Sequence, residues 1–327
     1  MIDRRRKLIL VCLGAIVVPR PGFAQQKTWR IGVVIPRLRP ASLESGISGA
    51  FLREMRKLGY VEGSNVQYEW RFTEGRTERL AEQVGDLVRL KVDLIVAAST
   101  PVARAAQKAT STIPIVMVAV GDPVGSGLVA SLARPGKNIT GVGNFNVDVN
   151  AKRVELLATA VPKLSRLGAL LNPANPTHAA NLSSLQAASA RAGLTLSPAA
   201  ARTPDEIEGA FSLLRNQSVD ALIVQTDSLF ATQARQIAQL AARSRLPTIG
   251  PREIVDAGGL IAYAPSTAWI YGRTAAYVDR ILKGANPAEL SVEQPTKLEL
   301  IVNLKAAQSL GITIAREVVL LADEVIQ

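Results

Sequence analysis

The 327 residues include one cysteine, one histidine and few aromatic side chains, the aromatics making up 4% of the chain. Cys12 lies in an apolar run near the start, so the remainder of the chain can form no disulfide, thiol nucleophile or thiolate metal site. It follows Val11 and comes too early for a lipoprotein box. His178, just after Pro176 and Thr177 at the start of a polar helical stretch, reads as a surface residue rather than a general base. The chain also lacks a G-x-S-x-G elbow, a P-loop lysine, a G-x-G-x-x-G fingerprint and any histidine–carboxylate metal spacing. Gly125-Ser126-Gly127 is too short for a phosphate loop. No enzyme, metal or cofactor is expected.

After Val18 no apolar run reaches the roughly 18 residues that a membrane span needs. The net charge of +11 falls by 4, to +7, once residues 1–24 are set aside, because they carry Arg4, Arg5, Arg6, Lys7 and Arg20 against Asp3. The remaining basic residues are scattered along helical segments, with neither a basic arm nor an aromatic-interleaved motif, which excludes a nucleic-acid partner.

Residues 1–24 read as an export signal: Arg4-Arg5-Arg6-Lys7 form a basic start, Leu8–Val18 an apolar centre, and Gly22-Phe23-Ala24 the small-residue cleavage region. The expected location is the periplasm. With 48% hydrophobic and 20% charged residues, the rest of the chain can bury a sizeable core.

The pattern beyond the signal alternates short apolar runs with helical periodicity, as in a parallel α/β sheet. Trp29–Ile35 is the first strand. Ser42 is positioned to cap a helix whose apolar face is Leu43, Ile47, Ala50, Phe51, Met55 and Leu58. The central stretch runs from Val92 to Val142. In it, strands Val92–Ala98 and Ile115–Val120 each end in small polar residues and are expected to feed straight into a helix. At the first junction Ser99 is the expected N-cap, with Thr100 and Pro101 opening the helix; at the second, Gly121-Asp122-Pro123 offers a carboxylate. A ligand bearing both a carboxylate and an amine fits between them.

The second half repeats the plan. Leu167–Leu171 leads through the turn Asn172–Pro176 into a helix with Asn175 as its expected N-cap, and Val219–Val224 opens into Gln225-Thr226-Asp227-Ser228 before a helix at Ala231–Ser244. The fold class is therefore α/β, two Rossmann-like doubly wound lobes joined by a multi-strand hinge. The expected division is 28–145 plus about 268–294 for the first lobe and 146–267 plus about 295–327 for the second. A return of helix Leu304–Leu310 to the first lobe would add a crossing.

Candidate ligand contacts are polar residues at strand ends: Ser99, Thr100 and Asp122 from the first lobe, and Asn172, Asn175, Asp227 and Ser228 from the second. Hydroxyls and helix N–H groups suit a carboxylate, and Asp122 or Asp227 suits an ammonium. Phe145 and Tyr263, near the expected crossings, are candidates for stacking on an apolar ligand, whereas Phe230 and Tyr271 read as core. Arg37 borders the cleft on the loop after the first strand.

The runs VDLIVAAST, TIPIVMVAVGDPVGSGLVASLARPGKNITG, LLNPANP and YVDRILKGANPAELSVEQPTKLELIVNLKAAQSLGITI resemble the bacterial ABC-transporter substrate-binding proteins of the tryptophan/tyrosine-uptake type, over essentially the whole chain after the signal. The segments GDPVGSGLVASLARPGKNITG and VEQPTKLEL are specific to that family. The resemblance implies a type I periplasmic binding fold with three crossings between lobes. It also implies a small-molecule solute, by default an aromatic amino acid, delivered by a monomer to an inner-membrane ABC permease. Carried over, the pocket would use Ser99, Thr100, Asp122, Asn172, Asn175 and Asp227. Arg37 and Arg39 would favour a more acidic ligand, such as an aromatic or dicarboxylic acid. The alternative role is a periplasmic sensor that presents its closed form to a receptor.

Overall fold

The computed structural model describes residues 27–74, 76–144 and 146–327. Residues 1–24 with Cys12, and Phe145, lie outside the described residues. In chain order the elements are β1 (Trp29–Ile35), α1 (Gly46–Lys57), β2 (Val66–Phe72), α2 (Leu80–Arg89), β3 (Leu94–Ala98), α3 (Thr100–Ala109), β4 (Ile115–Val120), β5 (Ile139–Gly143) and α4 (Asn146–Ala160). The second half runs β6 (Arg166–Leu171), α5 (His178–Arg191), β7 (Thr195–Ala200), α6 (Glu206–Asn216), β8 (Ala221–Val224), α7 (Ser228–Thr232), α8 (Ala234–Arg243), β9 (Thr248–Gly250), α9 (Arg252–Asp256) and β10 (Ile261–Pro265). The tail comprises α10 (Thr267–Leu282), β11 (Leu298–Asn303), α11 (Leu304–Leu310), α12 (Arg316–Leu321) and β12 (Glu324–Ile326).

Two sheets form. The first has the order β2-β1-β3-β4-β5 and is wholly parallel; the second has β12-β11-β10-β9-β8-β6-β7, antiparallel only between β10 and β11. Strands β7-β6-β8-β9-β10 repeat the order of the first sheet, so each lobe is doubly wound with its switch point between its first and third strands. Strands β3 and β4, and β1 from Ile31 onward, are nearly continuous apolar runs because helices cover both faces of the sheet. Buried clusters on either face of the first sheet centre on Phe51, Val96 and Tyr277, and on Leu87, Ile95 and Met117; those of the second centre on Leu157, Ile223 and Val302, and on Phe211, Leu222 and Phe230.

The chain passes between the lobes three times, from β5 to α4, from β10 to α10 and along residues 293–298. The crossings hold one another. Gly143 N donates to Glu293 O at 2.8 Å, and Ser266 N donates to Lys297 O at 3.1 Å. Arg273 forks onto the Glu293 carboxylate at 2.7 and 2.5 Å.

Some local expectations are corrected. Strand β4 does not enter a helix: residues 121–138 are turns and bends, because Pro123, Gly127, Pro135 and Gly136 interrupt any helical run, while Leu128 and Val129 are still buried against the sheet. The N-cap of α1 is Ser45, not Ser42, whose hydroxyl is held in the preceding turn by Glu44 N. The segment after Asp227 breaks at Gln233 into α7 and α8. Helix α11 packs its Ala307 into the second lobe, since β11 has already paired with β10 there.

Candidate functional site

The switch points face each other. Arg37 and Ser99 follow the two strands that flank the first, and Asn172 and Asp227 follow those that flank the second. The lobes approach closely between them: a Cβ on Gly121 would lie 2.9 Å from the Thr177 methyl of the opposite lobe, so only glycine fits.

On the first-lobe wall, Ser99 has φ +89° and ψ 159°, a region that side chains other than glycine's hardly enter. A capping serine needs an extended backbone with negative φ, so the expected cap is not made and Ser99 Oγ is buried with no partner among the described residues. Thr100, 3% exposed, accepts from Gly121 N at 3.3 Å and ties the end of β3 to that of β4. Ala119 also has a positive φ, +56°, and Asn144 Oδ1 is buried with no partner among the described residues.

On the second-lobe wall the polar groups bind one another. Asp227 Oδ1 accepts from Asn172 Nδ2 at 3.1 Å and from Leu229 N at 2.8 Å, and Oδ2 accepts from Asn175 Nδ2 at 2.9 Å. Asn175 Oδ1 accepts from Thr177 N and Oγ1, so Asn175 braces the turn while Thr177 stands at the N-cap of α5. His178 is buried, not on the surface as its neighbours in sequence imply: it turns inward, with Nδ1 accepting from Asn172 N at 2.8 Å. Nε2 therefore carries the proton, 3.2 Å from Thr226 O. Burial pushes the imidazole pKa below its usual 6.5, outweighing the opposing pull of Asp227 and Thr226 O.

A cross-lobe ion pair closes the space between the walls, with Arg37 Nη1 2.6 Å from Glu253 Oε1. Burial works against the charge of both groups, yet their mutual attraction prevails, raising the Arg37 pKa and lowering that of Glu253. Tyr271, whose hydroxyl burial pushes up to about 12, lies beside them on the cleft wall instead of only in the core. The central chamber is about 70 Å³ and is lined by Arg37, Ser99, Thr100, Asn175, Asp227 and Ser228 among others. Asn172 joins Ser99 and Asp227 in a smaller adjoining space.

Two candidates lie elsewhere. Asp122 folds back on its own turn, its Oδ1 accepting from Gly125 N at 2.8 Å, and Tyr263 packs against the second-lobe core, with its carbonyl accepting from Arg153 Nε at 2.9 Å. Sequence reading missed Glu253, Asn144, Thr177 and Arg153. Glu253 sits on a five-residue helix too short to leave a periodic trace, and its partner is 216 residues away. Arg153 is fully buried, Nη1 finds no partner among the described residues, and desolvation draws its pKa down to about 10. Among the described residues no group of His, Cys, Asp and Glu could hold a metal ion, and no helix is long and apolar enough to cross a membrane.

Residues 32–326 match the family model described as ABC transporter substrate binding protein. A tyrosine-binding protein of Clostridioides difficile (strain R20291) is 28% identical over 264 residues, covering 80% of this chain and 75% of the relative. An ABC domain from Streptococcus pneumonia solved in complex with L-Trp is 28% identical, with a TM-score of 0.85 over 92% of this chain and 100% of the other. The ligand-free, open structure of a substrate binding protein with adhesive properties from Clostridium difficile is 26% identical, with a TM-score of 0.66 over 92% and 99%.

Proposed function

This chain belongs to the ABC transporter substrate binding protein family, and from that premise we propose that it is the periplasmic receptor of an ABC importer, closing two lobes on an aromatic amino acid. The observation that carries the ligand reading is Ser99: a buried hydroxyl with no partner among the described residues, on a backbone held where serine is strained, at the wall of the inter-lobe chamber. Strain and an unmet hydrogen bond together cost stability and serve no packing purpose, so their use is to receive a ligand. With Thr100, Asn175 and Ser228 on the same chamber, Ser99 receives the polar end of the solute, and Asp227 and Glu253 are the acids available to an ammonium.

The relatives' ligands support the aromatic amino-acid class. Greater overlap with the L-Trp complex than with the open structure, at nearly equal identity, supports reading the present arrangement as the closed one. The family match supports an importer over a sensor. The protein acts as a monomer, hands its solute to an inner-membrane permease and performs no chemistry on it. Its lobes divide at 28–145 plus about 268–294 and 146–267 plus about 295–327, and residues 1–24 direct export.

Isothermal titration of residues 25–327, unfolded and refolded to strip resident ligand, tests this reading. Saturable binding of tryptophan or tyrosine in the micromolar range or tighter is expected. Binding only of acids that lack an amine would overturn the amino-acid class.

A further inference from the structure

Three cavities meet in the cleft, of about 490, 70 and 70 Å³, and both Arg37 and Glu253 line all three. The ion pair is thus the partition between them. The central chamber has room for little more than the polar head of a solute, given that a water takes about 30 Å³ and ligand sites usually span roughly 300–1,000 Å³. An indole or phenol ring needs another place.

The 490 Å³ outer chamber provides one, with Ile35, Leu38, Ile47, Ala50 and Phe72 as its apolar wall. Leu38, 58% exposed, leaves apolar surface at the chamber mouth. Phe72 stacks on Trp70 with centroids 6.1 Å apart and planes 11° from parallel, continuing an aromatic row from Tyr68.

What stands between the head chamber and the ring chamber is one cation and one anion at 2.6 Å. A zwitterion matches both. It exchanges a single ion pair for two, whereas a neutral or singly charged molecule that wedges between them leaves a half-buried charge without a partner. Asp227 is a poorer ammonium acceptor than Glu253, since Asn172, Asn175 and Leu229 already engage both of its oxygens.

We propose that the Arg37–Glu253 pair is the specificity gate of the cleft. A free α-amino acid splits it, giving its carboxylate to Arg37 and its ammonium to Glu253, and a large apolar side chain then fills the outer chamber. This rests on the amino-acid reading above and assigns its recognition groups.

The test is titration calorimetry of the refolded protein with L-tryptophan, indole-3-propionate (no amine) and tryptamine (no carboxylate), on wild type, Glu253→Gln, Arg37→Gln and Ala268→Phe. Ala268 is exposed at the start of α10 and lines the outer chamber, so the added ring fills that chamber without entering the core. Circular dichroism confirms folding of each variant. Glu253→Gln is expected to cut the preference for tryptophan over indole-3-propionate at least about tenfold, because the acid no longer strands Glu253, and Arg37→Gln to cut the preference for tryptophan over tryptamine by as much. Ala268→Phe should weaken all three at least about tenfold.

A uniform loss across the three compounds in both charge variants would make the pair a simple latch and overturn the gate. An unaffected Ala268→Phe protein would overturn the outer chamber as the ring site. Failure of wild type to bind tryptophan would overturn the amino-acid class, and the gate with it, and is told apart by appearing before any substitution is made.

Discussion

The two walls of the cleft are built from the same strand order yet treat their polar groups in opposite ways. The second-lobe loops satisfy themselves: Asp227, Asn172, Asn175, Thr177 and His178 form a closed set of hydrogen bonds. The first-lobe loops do not, leaving Ser99 Oγ and Asn144 Oδ1 buried with no partner among the described residues, and Ser99 and Ala119 at positive φ. The Asp227 cluster is therefore a finished unit at its cleft face, with unmet capacity behind it at Arg153 Nη1 and Gln225 Oε1, whereas the first-lobe wall holds unmet bonding capacity at the chamber itself.

This contrast can be broken, and the largest effect is expected from the finished cluster. Asp227→Ala strips the acceptor from two buried amides and a backbone N–H, and should lower unfolding stability by about 3 kcal/mol in urea titration. Gly121→Ala acts next, and only on closure: its new methyl meets Thr177 across the cleft, so affinity should fall about tenfold while unliganded stability changes little. Ser99→Gly sharpens the contrast because its two effects oppose each other. Relief of a strain of about 1–3 kcal/mol, less the roughly 1 kcal/mol entropy cost of glycine, should stabilise the unliganded protein. Loss of the hydroxyl should weaken ligand binding in the same calorimetric assay.

The smallest effect is one of pH and belongs to the second lobe alone. His178 is held neutral, with a pKa below the 6.5 of the unfolded chain, so the unfolded state takes up its proton first as the medium is acidified. Stability tied to the neutral ring is complete above 6.5 and is lost progressively as pH falls below it toward the lower folded value. Urea unfolding at a series of pH values should show this decline, and His178→Gln should flatten it.

Much of the molecule could be read directly from the residues. Strands β1 and β4 have the bounds that their apolar runs indicate, and α11 ends at Gly311, whose φ of +71° gives the left-handed stop. These features depend on side-chain period and on single residues whose conformational limits are local. Helix boundaries were less legible where capping competes with turns, as at Ser42 and Ser45, and where proline and glycine cancel a helical period, as after Val120. The strand-end positions of Ser99, Thr100, Asn175, Asp227 and Ser228 also followed from pattern, because an α/β sheet places the residue after each strand at one edge.

The sequence alone thus determined the α/β class, the two doubly wound halves and the family. Hydrophobic period, turn residues and the specific GDPVGSGLVASLARPGKNITG run are all properties of neighbours along the chain. Only the tertiary structure decided which polar groups are spent and which are free. It turned Asp122 into its own loop, folded His178 inward beneath Asp227, left Ser99 Oγ without a partner among the described residues, and set Arg37 against Glu253, 216 positions away in the chain. A hydrogen bond or ion pair depends on distances of about 3 Å, and the chain fixes such distances between remote residues only when the lobes have packed.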